Sequence, residues 1–282
     1  MPLETRESAT GLRKVRSTIN YSRPIAGRGR YDLVDPSRMN LAVEPHEIWL
    51  SDARPSAGDF TLDRNGFQLV SHRSRFSHLQ DKAELRRLYI PEVSPVICEF
   101  TGAHTALPLL NGLTLRKGVQ GGKGGKFGAA AHFAHLDYTA ASAERYIPIA
   151  QQWAGVDRLP PFSRFAICQC WRATSLPPHS ESFGFTDART VSLNDMIPAD
   201  TIMVDEKDHP HNFESYWVRY NPGHRWYFFS NMTADDLILF KGYDSDQARP
   251  SHVVHSAFYD CSVPENPVQR TNVEIRFILF FT

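Results

Sequence analysis

His135 and Asp137 stand two residues apart in the run Ala134-His135-Leu136-Asp137-Tyr138. In an extended strand, residues two apart point to the same face. The imidazole and the carboxylate can therefore reach one metal ion from a single strand or strand end. A second histidine from elsewhere would complete a set of two histidines and one carboxylate. That set suits Fe(II) and leaves three positions open, enough for a bidentate 2-oxo acid such as 2-oxoglutarate together with O2. The spacing alone is a short pattern in a chain with 12 histidines, and the competing account is a loop histidine bonded to its neighbour.

Several downstream histidines could supply the second imidazole: His179, His209, His211, His224, His252 and His255. His255 lies in the apolar run Val253-Val254-His255-Ser256-Ala257-Phe258-Tyr259, where a histidine is often only a core residue. Arg270 raises its standing, because it follows at the start of the last apolar segment in Arg270-Thr271-Asn272. A co-substrate with a distal carboxylate needs a fixed cation, and arginine offers a planar two-pronged donor. Asn272 would share its face and add a hydrogen bond. Arg276 is the rival anchor, although either arginine could instead pair with Glu274. Six residues at about 3.3 Å each put Arg276 about 20 Å along the strand from Arg270, so the two do not grip one carboxylate. His209-Pro210-His211, near Asp205, Glu206 and Asp208, is a competing cluster that reads more simply as a solvated loop. Arg172, Trp226 and His132 are candidates for the substrate pocket. Arg172 would grip an acidic group, against a surface ion pair; Trp226 competes with a core role, and His132 with a place in the loop before His135.

Strand-like segments must position these groups. Phe165–Trp171, Tyr216–Tyr220, Arg225–Phe229, Leu237–Phe240, Val253–Tyr259 and Asn272–Phe281 are short apolar or alternating runs separated by turn residues. Many short strands with few helices predict a barrel or sandwich. Asp81–Tyr89 predicts a helix capped by Asp81, and Ala141–Trp153 a helix interrupted at Pro148. The first twenty or so residues are polar and weakly patterned and predict a loose arm. The run from Val119 to Gly128 is rich in glycine and lysine but lacks the ending of a phosphate loop, so a mobile loop beside a site is expected.

The chain has 282 residues, 31 basic and 31 acidic, and a formal net charge of zero. No concentrated basic run marks a nucleic-acid partner. No apolar run has the length a membrane helix needs, and no signal core opens the chain. Cys98, Cys168, Cys170 and Cys261 form no paired motif and read as free thiols of a reducing compartment. A cytoplasmic location follows by default, with the oligomeric state open and a homodimer admissible.

Beyond these motifs, an ordered set of segments resembles the fungal hydroxylase/desaturase family, which includes gibberellin-desaturase-like proteins and relatives of a cephalosporin methoxylation component. The segments are His224-Arg225-Trp226-Tyr227, Phe240-Lys241-Gly242-Tyr243-Asp244-Ser245, His255-Ser256-Ala257-Phe258 and Arg270 to Arg276, with Trp171-Arg172 and Asp187-Ala188-Arg189 as a middle block. Tyr89-Ile90-Pro91-Glu92 and Thr101-Gly102-Ala103 extend the match, which runs from about Asp52 to the C-terminus. The resemblance implies a mainly β protein with flanking helices around a double-stranded β-helix, a jelly-roll or cupin-like core. It implies one oxygenase domain over residues 1–282, Fe(II), 2-oxoglutarate and O2 as cofactors, His135, Asp137 and His255 as ligands, and Arg270 as the co-substrate anchor. Two departures stand out: Tyr138 and Thr139 follow the H-x-D, and Thr271-Asn272 replaces the family's Glu-Ser after the arginine. The resulting expectation is an oxygenase that hydroxylates, desaturates or oxidatively cyclises a small specialised metabolite. The alternative is a metal-dependent barrel enzyme that uses no 2-oxoglutarate, such as a substrate-driven oxidase, hydrolase or isomerase.

Overall fold

A computed structural model of the chain describes residues 5–7, 11–116, 130–204, 210–263 and 266–282. The Gly/Lys-rich run, His209 and the acidic residues beside it lie outside these. In chain order the strands are β1 (Thr5–Glu7), β2 (Arg13–Ser22), β3 (Gly29–Asp32), β4 (Val43–Asp52), β5 (Phe67–Ser71), β6 (Thr105–Arg116), β7 (His135–Leu136) and β8 (Arg164–Ala173). They continue with β9 (Ser182–Thr186), β10 (Met196–Val204), β11 (Pro210–Val218), β12 (Trp226–Phe228), β13 (Asp236–Asp244), β14 (His255–Phe258) and β15 (Asn272–Phe281). One sheet runs in the order β1-β2-β4-β12-β9-β14-β7-β11-β10-β3 and the other in the order β5-β13-β8-β15-β6. The two sheets form the expected jelly-roll, mainly antiparallel, with helices flanking it.

The smaller sheet shows why a site can form inside. Its outward side chains, Cys168 and Cys170 on β8 and Val273, Ile275, Phe277 and Leu279 on β15, pack against Val93 and Ile97 of helix α1 (Ile90–Thr101) in one apolar cluster. Its inward side chains form matched pairs in the ladder: Phe165 with Phe280, Ile167 with Ile278, Gln169 with Arg276, Trp171 with Glu274, and Ala173 with Asn272. The row is apolar at one end and turns polar from Gln169 and Arg276 onward. At the apolar end, helix α2 (Ala140–Trp153) lays Ala143, Tyr146 and Ala150 over Phe165, Ile167, Ile278 and Phe280. Buried polar residues in an otherwise close-packed interior need partners, so their concentration in the middle of the sheet marks a place built for something other than packing.

Three expectations about elements are corrected. The N-terminal arm is not loose from Arg13 onward: β2 pairs residue by residue with β4, from Lys14 with Ser51 to Ser22 with Val43. Its apolar side is thin but real, since Val15, Ile19 and Tyr21 are buried, with Ser17 as a polar member of the same face. Helix α2 runs through Pro148 unbroken; burial of one face outweighs the single lost backbone bond. Pro210 and His211 belong to strand β11 rather than to a loop. The predicted helix at Asp81 does begin there, with the aspartate side chain accepting from the Glu84 N–H. It continues through a π-turn at Leu85–Tyr89 into α1. None of the described helices is long and apolar enough to cross a membrane.

Candidate metal centre

β7 lies between β11 and β14, and its short ladder sets His135 directly opposite His255. The two rings stand with centroids 4.3 Å apart. Strand alternation does the sorting, as the spacing predicts. Ala134, Leu136, Val254 and Phe258 pack into an apolar cluster on the outer side of the large sheet, which leaves His135, Asp137 and His255 pointing inward.

Both imidazoles are oriented by the same device. Nδ1 of His135 lies 2.9 Å from the carbonyl oxygen of Phe133, and Nδ1 of His255 lies 3.1 Å from that of Val253. A carbonyl only accepts, so each Nδ1 carries the hydrogen and each Nε2 presents a lone pair to the interior. Those nitrogens converge on one carboxylate, with His135 Nε2 3.9 Å from Asp137 Oδ1 and His255 Nε2 3.7 Å from Asp137 Oδ2. The donor atoms of the three residues all lie within 4.8 Å of one another, the one such group among the described residues.

The charge states suit a cation. Burial pushes His135 down to about 4, with His255 beside it acting in the same direction. Burial likewise lowers His255, against the opposing pull of Asp137. Both rings are therefore neutral near pH 7, as metal ligands must be. Burial pushes Asp137 upward, but Arg276 and the two histidines outweigh it and hold the carboxyl well below its ordinary range. Two neutral imidazoles and one carboxylate match the donor set for Fe(II).

The polar row of the small sheet surrounds this triad. Arg276 donates to Asp137 Oδ2 from Nη2 at 2.8 Å and to Gln169 Oε1 from Nε at 2.8 Å. Its Nη1 donates to the Gly112 carbonyl at 2.8 Å, and Nη2 lies 3.1 Å from Glu274 Oε1. The pairing with Glu274, foreseen as one alternative for the arginines of β15, thus occurs, and Arg276 lies against the triad rather than at a distal anchor point.

Arg270 is placed differently. It is 7% exposed, lies 5.4 Å from the Trp171 ring centroid, and bonds only weakly to the Glu181 carbonyl at 3.4 Å. Burial lowers it to about 10, so it stays charged near neutrality. Its buried Nε has no hydrogen-bond partner, nor do Nδ2 and Oδ1 of Asn272 or Nε2 of Gln169. Unpartnered buried donors cost about 1–3 kcal/mol each, and a carboxylate-bearing ligand is the group that would satisfy a buried guanidinium and amide together. Arg270, Trp171, Glu181, His179 and Phe183 line a cavity of about 320 Å³, and the Phe183 ring is 5.7 Å from that of His255.

The three expected pocket residues do not themselves line that cavity. Arg172 is fully buried on the outer face of β8, where it donates to Tyr89 Oη, to the carbonyls of His72 and Ala234, and to His72 Nδ1. Residues 171 and 172 alternate, so Trp171 faces the interior and Arg172 the helix side. Trp226 is also a core residue, giving its Nε1–H to Tyr21 Oη at 2.7 Å within the outer cluster. His132 binds Glu181 at 2.9 Å and stacks on Tyr259. It therefore touches the cavity wall through Glu181 but not the triad. Gln169 and Gly112 were not anticipated. Gln169 was visible as the lone polar side chain inside an apolar strand run; Gly112 becomes apparent only through the β6–β15 register.

Comparison with known proteins follows the same line. Residues 19–280 match the family model described as "Oxidoreductase/YMDC permease-like domain". The chain is 30% identical over 288 residues to the hydroxylase/desaturase efuI of Hormonema carpetanum, covering 95% of each. It is 25% identical over 253 residues to the Fe(II)/2-oxoglutarate-dependent dioxygenase nvfI of Aspergillus novofumigatus, covering 86% of each. Its fold superposes on the solved iron and alpha-ketoglutarate-dependent endoperoxidase NvfI with a TM-score of 0.78 at 23% identity, over 95% of this chain and 98% of that one.

Proposed function

The chain belongs to the fungal hydroxylase/desaturase family of oxidoreductases, and from that premise we propose that it is an Fe(II)/2-oxoglutarate-dependent dioxygenase that oxidises a C–H bond of a small specialised metabolite. The observation that carries the reading is the convergence of His135, Asp137 and His255 on one point, with both histidines already in the ligand tautomer.

His135, Asp137 and His255 would hold the iron. With 2-oxoglutarate and O2, iron supplies an oxidant strong enough to take hydrogen from an unactivated carbon, and hydroxylation, desaturation and ring closure share that step. The protein's part is binding and exclusion. Arg270 supplies a buried guanidinium for the distal carboxylate of the co-substrate, and Asn272, two residues on at the start of β15, adds an amide in place of the family's serine hydroxyl. Phe183 and Phe240 pack against His255 and keep water from that side. The cavity beside Arg270 offers aromatic and polar walls to small molecules. The free amide and guanidinium atoms favour a carboxylate co-substrate over a metal hydrolase or isomerase, which would leave them unused.

Succinate formation from 2-oxoglutarate tests this directly. Turnover should require Fe(II), cease on chelation, and be absent in Asp137→Ala protein that retains its fold. Equal succinate with and without iron would overturn the reading.

A further inference from the structure

We propose that Arg276 is a positioning residue that fixes Asp137 as a one-oxygen ligand, offering Oδ1 to the metal, and that Gly112 is the residue that permits it. The inference rests on the reading of the triad as an iron site and concerns how that site keeps its open positions.

A carboxylate at the end of a short strand can present one oxygen or two. A second Asp137 oxygen on the metal would take one of the three positions that a bidentate 2-oxo acid and O2 need. Arg276 claims Oδ2 twice, through Nη2 at 2.8 Å and more weakly through Nε at 3.2 Å. Each oxygen lies near one histidine, Oδ1 3.9 Å from His135 Nε2 and Oδ2 3.7 Å from His255 Nε2, and it is the arginine on Oδ2 that leaves Oδ1 as the free donor. The guanidinium cannot easily follow a shifting carboxylate, because Gln169 Oε1 and the Gly112 carbonyl hold it from other directions. A planar donor held at several points transmits orientation as well as charge.

The path of Arg276 depends on an irregularity in the sheet. β15 pairs Glu274 with Thr114 but Arg276 with Leu109, so residues 110–113 of β6 stand against Ile275 alone. This bulge turns the Gly112 carbonyl toward Nη1 and brings its Cα close under the side chain. A Cβ at position 112 would lie 2.8 Å from Arg276 Cδ and 3.2 Å from its Cβ. That is too close for the side chain to keep its course, so any larger residue should push the guanidinium off Asp137.

Anaerobic Fe(II) titration of the apoprotein, with Co(II) absorption as a reporter of coordination number, tests the proposal without turnover. Arg276→Lys keeps the positive charge but loses the fork, and should weaken Fe(II) binding by about tenfold, within the range found for outer partners of metal ligands. Gly112→Ala should weaken binding similarly although it touches no ligand, and the double variant should bind no worse than Arg276→Lys alone, since both act through one contact. Thermal unfolding of each apoprotein reports folding. Should Arg276→Lys not fold, Gln169→Leu, which removes one of the groups holding the guanidinium while keeping the arginine, should show the same loss, with a weaker Co(II) absorption as a second Asp137 oxygen raises the coordination number. Wild-type affinity in Arg276→Lys, or tighter binding as expected of a cation that only repels the metal, would overturn the proposal. Absence of metal binding by the wild-type protein would instead overturn the iron-site reading on which it rests.

Discussion

His135 and His255 face each other across a single rung between β7 and β14, each with its Nδ1 bonded to the backbone carbonyl two residues earlier in the chain. The tautomer is thus set by main chain rather than by side-chain partners that could reorganise. A metal arriving at this point meets two lone pairs already aimed at it, so little of the binding energy goes into ordering ligands.

Arg270 should act on the co-substrate alone. Replacing it with alanine removes a charge-assisted pair worth about 1.5–3 kcal/mol, so the apparent KM for 2-oxoglutarate should rise by about 10- to 100-fold while Fe(II) affinity stays near wild type. Steady-state kinetics with a parallel metal titration measures both. A KM that does not move would remove Arg270 from this role.

Arg172 should act on stability alone. Its guanidinium bonds the carbonyls of His72 and Ala234, and Arg172→Met would leave those acceptors buried without a donor, at about 1–3 kcal/mol each. The urea midpoint should fall clearly, with the KM for 2-oxoglutarate unchanged. A large KM effect at unchanged stability would restore Arg172 to the pocket.

Acid should loosen the fold through its buried histidines. Burial lowers His72, His179, His224 and His252 below the ordinary 6.5. As pH falls below about 6.5, the unfolded chain takes up protons that the folded chain refuses, so stability present above that pH is lost beneath it. His72 adds to this because its Nδ1 accepts from Arg172 Nη2 at 2.7 Å and cannot do so once protonated. Urea midpoints at pH 7.5 and 5.5 should differ, and by less in His72→Gln. An equal difference in that variant would show that His72 does not contribute.

Much of the site is legible in one dimension because it follows the two-residue period of a strand. His135 and Asp137 share a face for that reason, and Asn272, Glu274 and Arg276 share another. What the period cannot convey is which face a residue takes next to a recognisable motif. Arg172 follows an interior tryptophan and therefore points outward. Trp226 lies beside a histidine-arginine motif yet packs behind the large sheet. The part played by Arg276 depends on a bulge in β6, a strand about 160 residues earlier in the chain, and nothing local to β15 announces it. The N-terminal strand was obscured by its composition: β2 buries Val15, Ile19 and Tyr21 but fills the positions between them with charged and polar groups.

The central claim is that one site binds iron and a 2-oxo acid together, and anaerobic titration tests it most directly. Fe(II) should be added to the apoprotein, then 2-oxoglutarate, while the visible spectrum is followed for the weak charge-transfer band of a bidentate chelate. The account predicts a band that saturates with one iron per chain and is lost in His255→Ala, and that in Arg270→Ala requires far more 2-oxoglutarate. Iron bound by the wild-type protein with no band at any 2-oxoglutarate concentration would contradict it.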